Sequence, residues 1–313
     1  MSRVAIVFPG QGSQKLGMGS DLVKNFKVAR QTFEEASEEV KINLLRLCTD
    51  GPIEELNRTE LTQPAILTMS MAAYRVLETE SELRADFLAG HSLGEYTAVT
   101  AGGGMDLTDA VSLVRRRGQY MQEAVPEGEG AMAAILGMEL EELEEICSEV
   151  GGTVVPANLN CPGQVVISGE KTAVEDVAEL SRERGAKRAM LLDVSVPSHS
   201  PLMEPATERL KEALEAITIR DLHVPLINNV EARAVRSAEE IREGLIQQLT
   251  SPLRWEQGVR EMIAQGAETF VEVGPGRILS SLIHRIQRKI KVLNIAETEG
   301  LDQVQKTSTS REV

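Results

Sequence analysis

Residues 4–8, VAIVF, form an unbroken apolar run closed by Pro9-Gly10, the pattern of a short strand buried on both faces. A glycine-rich loop, PGQGSQKLGMG, follows it. Positions 35–77 carry a helical pattern with a break at Asp50-Gly51-Pro52. Residues 87–89 predict a second short strand leading into Gly90. Residues 93–101 then predict a small-residue helix ended by Gly102-Gly103-Gly104, and residues 106–123 a helix with an acidic start. Strands separated by helices predict an α/β fold whose mostly parallel sheet is covered on both faces.

The texture changes after the PEGEG loop at 126–130. Strands are predicted at 131–136, 154–158, 164–168 and 188–194, with helices at 139–150 and 173–184. The order β-α-β-β-α-β is the ferredoxin-like pattern. Beyond it the pattern predicts helices at 202–216, 238–249, 255–265 and 278–286, and strands at 224–228 and 269–273. The expected organisation is a large α/β core from 1–127 and 197–300, an inserted subdomain at 128–196, and a polar, disordered tail at 301–313.

Composition narrows the class. Of 313 residues 42% are hydrophobic and only 3% aromatic, so the core must be built from aliphatic side chains and methionine. No apolar run approaches the ~18 residues of a membrane span. The N-terminal apolar stretch stops too early for a secretory signal and suits a strand. Cys48, Cys147 and Cys161 are odd in number and widely spaced, which fits a reduced, cytoplasmic protein without a cysteine metal site. A formal net charge of −15 makes nucleic acid a poor partner, and an acidic partner would need a local basic patch.

Gly90-His91-Ser92-Leu93-Gly94 fits G-x-S-x-G between a short strand and a small-residue helix. That context suits a nucleophile elbow, where a sharp turn exposes the serine hydroxyl and helix N–H groups face a developing oxyanion. Four histidines are available as base. His91 adjoins Ser92, and neighbours on a tight turn point apart. His223 and His284 have structural or solvated settings. His199, in VPSHSPLM at the exit of the inserted segment, is the best candidate. Asp106, Asp109 and Asp193 have no setting that distinguishes a third triad member.

Helical spacing places Arg117 at the edge of the apolar stripe of its helix, and turns Arg115 and Arg116 away from it. Two uses stand open for Arg117: a stem covering apolar surface, or a fork for a substrate carboxylate. The loop at 10–19 fails both phosphate-loop patterns, with Lys15 where a Rossmann glycine is needed and Met18 where a P-loop lysine is needed. A loop after the first strand can instead donate a backbone N–H to an oxyanion.

Together these stretches resemble the malonyl-CoA:acyl carrier protein transacylase family. The match runs in order through VFPGQGSQ (7–14), LTQPAIL (61–67), GHSLGEY (90–96), RRGQYMQEAVPEG (116–128), NCPGQVVISG (160–169), VPSHSPLM (196–203), QLTSPLRW (248–255) and EVGPG (272–276). The resemblance implies a hydrolase-like α/β core with a ferredoxin-like insert. It implies Ser92 as nucleophile, His199 as base, and the Gln248 backbone carbonyl as the group orienting that base. The Gln11 and Leu93 N–H groups would form the oxyanion hole, and Arg117 would hold the malonyl carboxylate. Asn160 and Arg188 match positions near the acyl and pantetheine ends. The implied reaction is ping-pong malonyl transfer from malonyl-CoA to an acyl carrier protein for fatty acid biosynthesis, by a monomer without cofactor or metal. A discrete acyltransferase serving a polyketide synthase and a serine hydrolase or thioesterase are the rival readings. Carrier proteins of the family are acidic, so docking is expected on Arg182, Arg184, Lys187 and Arg188 or on Arg285, Arg288, Lys289 and Lys291.

Overall fold

A computed structural model of the chain describes residues 3–194 and 196–309. Among the described residues ten strands form two sheets: β1 (Arg3–Phe8), β2 (Phe87–Gly90), β3 (Gly130–Leu136), β4 (Val154–Cys161), β5 (Gln164–Glu170), β6 (Arg188–Leu191), β7 (Leu226–Ile227), β8 (Ala234–Val235), β9 (Ala267–Val273) and β10 (Lys291–Ile295). The larger sheet has the order β10-β9-β1-β2-β7-β8 and is parallel except for β8. β1 lies at its centre, with Val4, Ile6 and Phe8 packed into one core and Ala5 and Val7 into another. Burial on both faces explains why its sequence is continuously apolar instead of alternating.

The smaller sheet is antiparallel, in the order β4-β5-β3-β6. In the insert's own strand numbering that is 2-3-1-4, the ferredoxin-like arrangement. One face packs on helices Leu140–Glu149 and Lys171–Glu183 through Ala133, Ile135, Ile167 and their neighbours. The other carries Met132, Ala134, Ala157 and Val166. Leu253 fastens the insert to the core: its N–H donates to the Ala157 carbonyl (2.7 Å), and its carbonyl accepts from the Leu159 N–H (2.9 Å).

Several elements depart from the sequence pattern. The strands expected at 188–194 and 224–228 shorten to Arg188–Leu191 and Leu226–Ile227. β8, β10 and the helix Ser20–Asn25 are too short, or too thinly apolar, to have shown in it. The tail expectation is corrected more substantially. Helix Thr298–Thr309 occupies most of the segment expected to be disordered, with Leu301 and Val304 buried. Asp21 anchors its start by accepting from the Thr298 N–H at 2.7 Å. Two apolar residues three apart suffice once a core face exists to receive them. Residues 310–313 of the expected tail lie outside the described residues.

Candidate active site

β2 ends at Gly90, and helix Leu93–Ala101 starts three residues later. Between them Ser92 has φ 52° and ψ −105°, a strained conformation for a residue with a side chain. Both flanking glycines are required by space. A Cβ on Gly90 would lie 1.9 Å from the Gly94 carbonyl carbon, and one on Gly94 would lie 2.0 Å from the Phe8 oxygen. The turn is braced from below by Asn229. Its Oδ1 accepts from the Ser92 N–H at 2.8 Å, and its Nδ2 donates to the Gly90 carbonyl at 2.7 Å.

His199 Nε2 lies 2.9 Å from Ser92 Oγ, and His199 Nδ1 lies 2.7 Å from the Gln248 carbonyl oxygen. A carbonyl oxygen only accepts, so Nδ1 carries the proton and Nε2 is free to take one from the serine. Burial and the nearby Arg117 charge push the imidazole pKa down to about 3, so the ring is neutral in ordinary buffers. His199 also has a positive φ, 60°, placing both members of the pair on strained backbone. His91 does turn away from Ser92. Its Nε2 meets Asn160 Oδ1 at 2.9 Å, and its ring packs edge-on against Trp255. His223 and His284 are exposed.

Arg117, on helix Leu107–Ala124, is only 1% exposed. Nη1 donates to Gln63 Oε1 (2.9 Å), and Nη2 donates to Gln248 Oε1 (3.0 Å) and Ser92 Oγ (3.1 Å). The guanidinium is thus directed at the serine hydroxyl and at two side-chain amides. All these partners are neutral, and among the described residues Arg117 forms no ion pair. Burial lowers its pKa, but an arginine still keeps its proton.

A cavity of about 410 Å³ opens over this cluster, lined in part by Gln11, Ser92, Leu93, Arg117, Met132 and His199. Leu93 is the first residue of its helix, where an N–H has no partner within the helix. Gln11 lies in the loop after β1. Asn160 and Arg188 are not among the cavity-lining residues. Asn160 reaches the site through His91. Arg188 is exposed at the start of β6, opposite Leu136, four residues before cavity-lining Leu192. Asp193 lines the cavity, whereas Asp106 pairs with Arg220.

Three further residues of the cluster escaped the sequence reading: Gln63, Glu95 and Asn229. Glu95 was the most visible of them, an acid inside a helix otherwise made of small and apolar residues. It is 1% exposed and bonded to the Gln248 Nε2 amide (2.5 Å) and the Asn229 N–H (3.2 Å). Burial raises its carboxyl pKa to about 7, against the lowering effect of these bonds and of Arg117.

A strained serine at a strand-to-helix turn, a neutral histidine on its hydroxyl and a cavity beside it fit the class of acyl-transfer enzymes. The comparisons with known proteins are specific. The acyl transferase domain family matches residues 5–310. The chain is 48% identical to the malonyl CoA-acyl carrier protein transacylase of Bacillus subtilis over 305 residues, 96% of each chain. It is 47% identical to the Escherichia coli K12 protein of the same name, over 91% of this chain and 93% of that one. The solved transacylase of Coxiella burnetii superposes with a TM-score of 0.96 at 43% identity, covering 97% of both chains. A malonyl-transacylase solved in complex with a type II polyketide carrier protein gives 0.96 at 45%, covering 98% of this chain and all of that one. The chain belongs to the malonyl-CoA:acyl carrier protein transacylase family.

Proposed function

We propose that this chain moves malonyl from malonyl-CoA to the phosphopantetheine thiol of an acyl carrier protein, for fatty acid biosynthesis, through a malonyl ester on Ser92. The observation that carries this reading is the Arg117 guanidinium, buried, without an anionic partner among the described residues, and 3.1 Å from Ser92 Oγ. A dicarboxylic acyl group brings the missing anion, and a neutral acyl group leaves the charge unpaired in a desolvated site.

The groups for each step come from the chain itself, so the reading needs no cofactor. His199 Nε2 takes the Ser92 proton as Oγ attacks the thioester carbon, and the oxyanion faces the Leu93 and Gln11 N–H groups. The tetrahedral intermediate collapses, the C–S bond breaks, and His199 returns the proton to the CoA sulfur. The carrier's thiol then repeats the sequence against the serine ester, restoring Ser92. The Gln248 carbonyl keeps the imidazole in the tautomer both steps need. All of these groups come from one chain, which supports action as a monomer. Three buried, free cysteines fit a cytoplasmic enzyme. Among the described residues no helix is long and apolar enough to cross a membrane. The solved complex of a relative with a polyketide carrier keeps a second reading, supply of a polyketide carrier protein, in play.

Mass spectrometry of the protein mixed with malonyl-CoA tests the reaction class. A malonyl adduct is expected on the peptide holding Ser92, discharged by added carrier protein and absent from Ser92→Ala. Hydrolysis at a rate indifferent to carrier would instead identify a hydrolase. In the same assay Arg117→Ala is expected to lose malonyl transfer by two orders of magnitude or more, about 3 kcal/mol. Acetyl transfer is expected to be relatively spared. Equal losses would remove Arg117 from carboxylate recognition.

A further inference from the structure

Arg117 sits in a buried cluster that holds a carboxylate, yet the two charges do not meet. Glu95 lies on helix Leu93–Ala101, behind the nucleophile. Between it and the guanidinium stands the carboxamide of Gln248. The amide nitrogen faces Glu95 Oε2 (2.5 Å) and the Ser92 carbonyl (3.1 Å), and the amide oxygen faces Arg117 Nη2 (3.0 Å). Each contact depends on which way the amide points. A flip would aim NH₂ donors at the guanidinium and an oxygen at two acceptors. Once ionised, above about pH 7, the carboxylate can only accept, so it fixes the nitrogen on its own side.

The geometry points to Glu95 as a positioning residue for acyl specificity: it orients the Gln248 carboxamide, which holds Arg117 ready for a substrate carboxylate without neutralising it. This inference rests on the malonyl-transfer reading above. A carboxylate bonded directly to Arg117 would compete with the substrate's own. The intervening neutral amide keeps the guanidinium in place and leaves its charge for the acyl group.

Asn229 supplies the contrast. It bonds the elbow backbone at Ser92 and Gly90 at 2.8 and 2.7 Å, Glu95 bonds its N–H, and its Oδ1 reaches the Gln248 amide nitrogen only at 3.4 Å. Asn229 therefore acts on the nucleophile, whose position matters equally to every acyl group.

The test is a pair of variants assayed with malonyl-CoA and acetyl-CoA. Rates are taken per serine labelled by phenylmethanesulfonyl fluoride, so that misfolded protein does not count. Glu95→Gln places an amide that donates as readily as it accepts beside Gln248. The expected result is a fall of ten-fold or more in the ratio of malonyl to acetyl kcat/KM, with acetyl transfer within about three-fold of the unaltered enzyme. Asn229→Ala is expected to lower both rates together and leave the ratio unchanged. Three outcomes for Glu95→Gln overturn the proposal: an unchanged ratio, equal loss of both activities, or failure of Ser92 to label, which would place Glu95 in elbow folding instead. The unaltered enzyme is the separate control. If it shows no preference for malonyl, the malonyl-transfer reading fails, whatever the variants do.

Discussion

Burial raises the Glu95 carboxyl from 4.5 to about 7 and lowers the His199 imidazole from 6.5 to about 3. The two shifts act on folding in opposite directions along the pH axis. Between pH 4.5 and 7 the folded chain keeps a proton on Glu95 that the unfolded chain has released, so stability falls as pH rises. Between pH 6.5 and 3 the unfolded chain binds a proton on the equivalent of His199 that the folded chain refuses, so stability falls as pH drops. Glu95→Gln removes only the first effect. From pH 4.5 to 8 the variant's unfolding free energy is expected to gain on the unaltered protein by roughly 3 kcal/mol, read by urea denaturation. A gap that stays constant with pH would mean that Glu95 is ionised throughout. At this scale the sequence was legible where chemistry is local. Ser92 shows through its glycines, whose absence of side chains the turn demands, and His199 through elimination among four histidines. Glu95 and Asn229 were not legible, because their value lies in hydrogen bonds that cross more than a hundred residues.

The element that places Arg117 is the pair of helices Thr59–Glu80 and Leu107–Ala124. They approach so closely that a Cβ on Gly118 would stand 2.7 Å from both the Thr59 oxygen and the Glu60 Cα. Backbone does not yield as a flexible side chain does, so Gly118→Ala must push the helices apart. The expected cost is about 1–3 kcal/mol in stability. Arg117 is the adjacent residue, so a lowered malonyl-to-acetyl ratio is expected beside a lower melting temperature. A stability loss without any change in the ratio would show that the arginine tolerates helix displacement. The helical stripe disclosed which arginine of the triplet turns inward, because amphipathic spacing is written in a single element. It left open what that arginine meets, because Gln63 arrives from another helix and Gln248 from just beyond the end of a third. β8 and the last helix stayed hidden for a related reason: they depend on surfaces built by other parts of the chain.

At the scale of the whole molecule, the cavity takes walls from both sheets' surroundings, with Ser92 and Arg117 from the core and Met132 from the insert. The ferredoxin-like order was legible because antiparallel strands and amphipathic helices alternate at short range. How the insert seats on the core was not, since among the described residues the backbone bridge rests on Leu253, far along the chain from the strand it meets. With a net charge of −15, approach by an acidic carrier protein needs local relief. In the first basic cluster Arg182 and Arg184 are paired to Glu179 and Glu149. Lys187 and Arg188 form no ion pair among the described residues, and β6 leads from them toward cavity-lining Leu192. Charge reversal at both is expected to raise the KM for carrier protein several-fold and leave that for malonyl-CoA unchanged, as read by steady-state kinetics. Equal effects on the two would move the docking site elsewhere.

The place of β1 at the centre of the larger sheet bears on how the protein is born. On a ribosome the strand emerges before both of its neighbours, and β2 follows about eighty residues after it. Its other neighbour, β9, follows it by about 260 residues. His199, Asn229 and Gln248 all lie beyond Ser92 in the chain. The growing polypeptide thus carries Ser92 for 107 residues without the histidine that meets its hydroxyl, and for 137 without the amide that braces the turn. The order of translation completes the Ser92–His199 contact only well after the turn itself has been made.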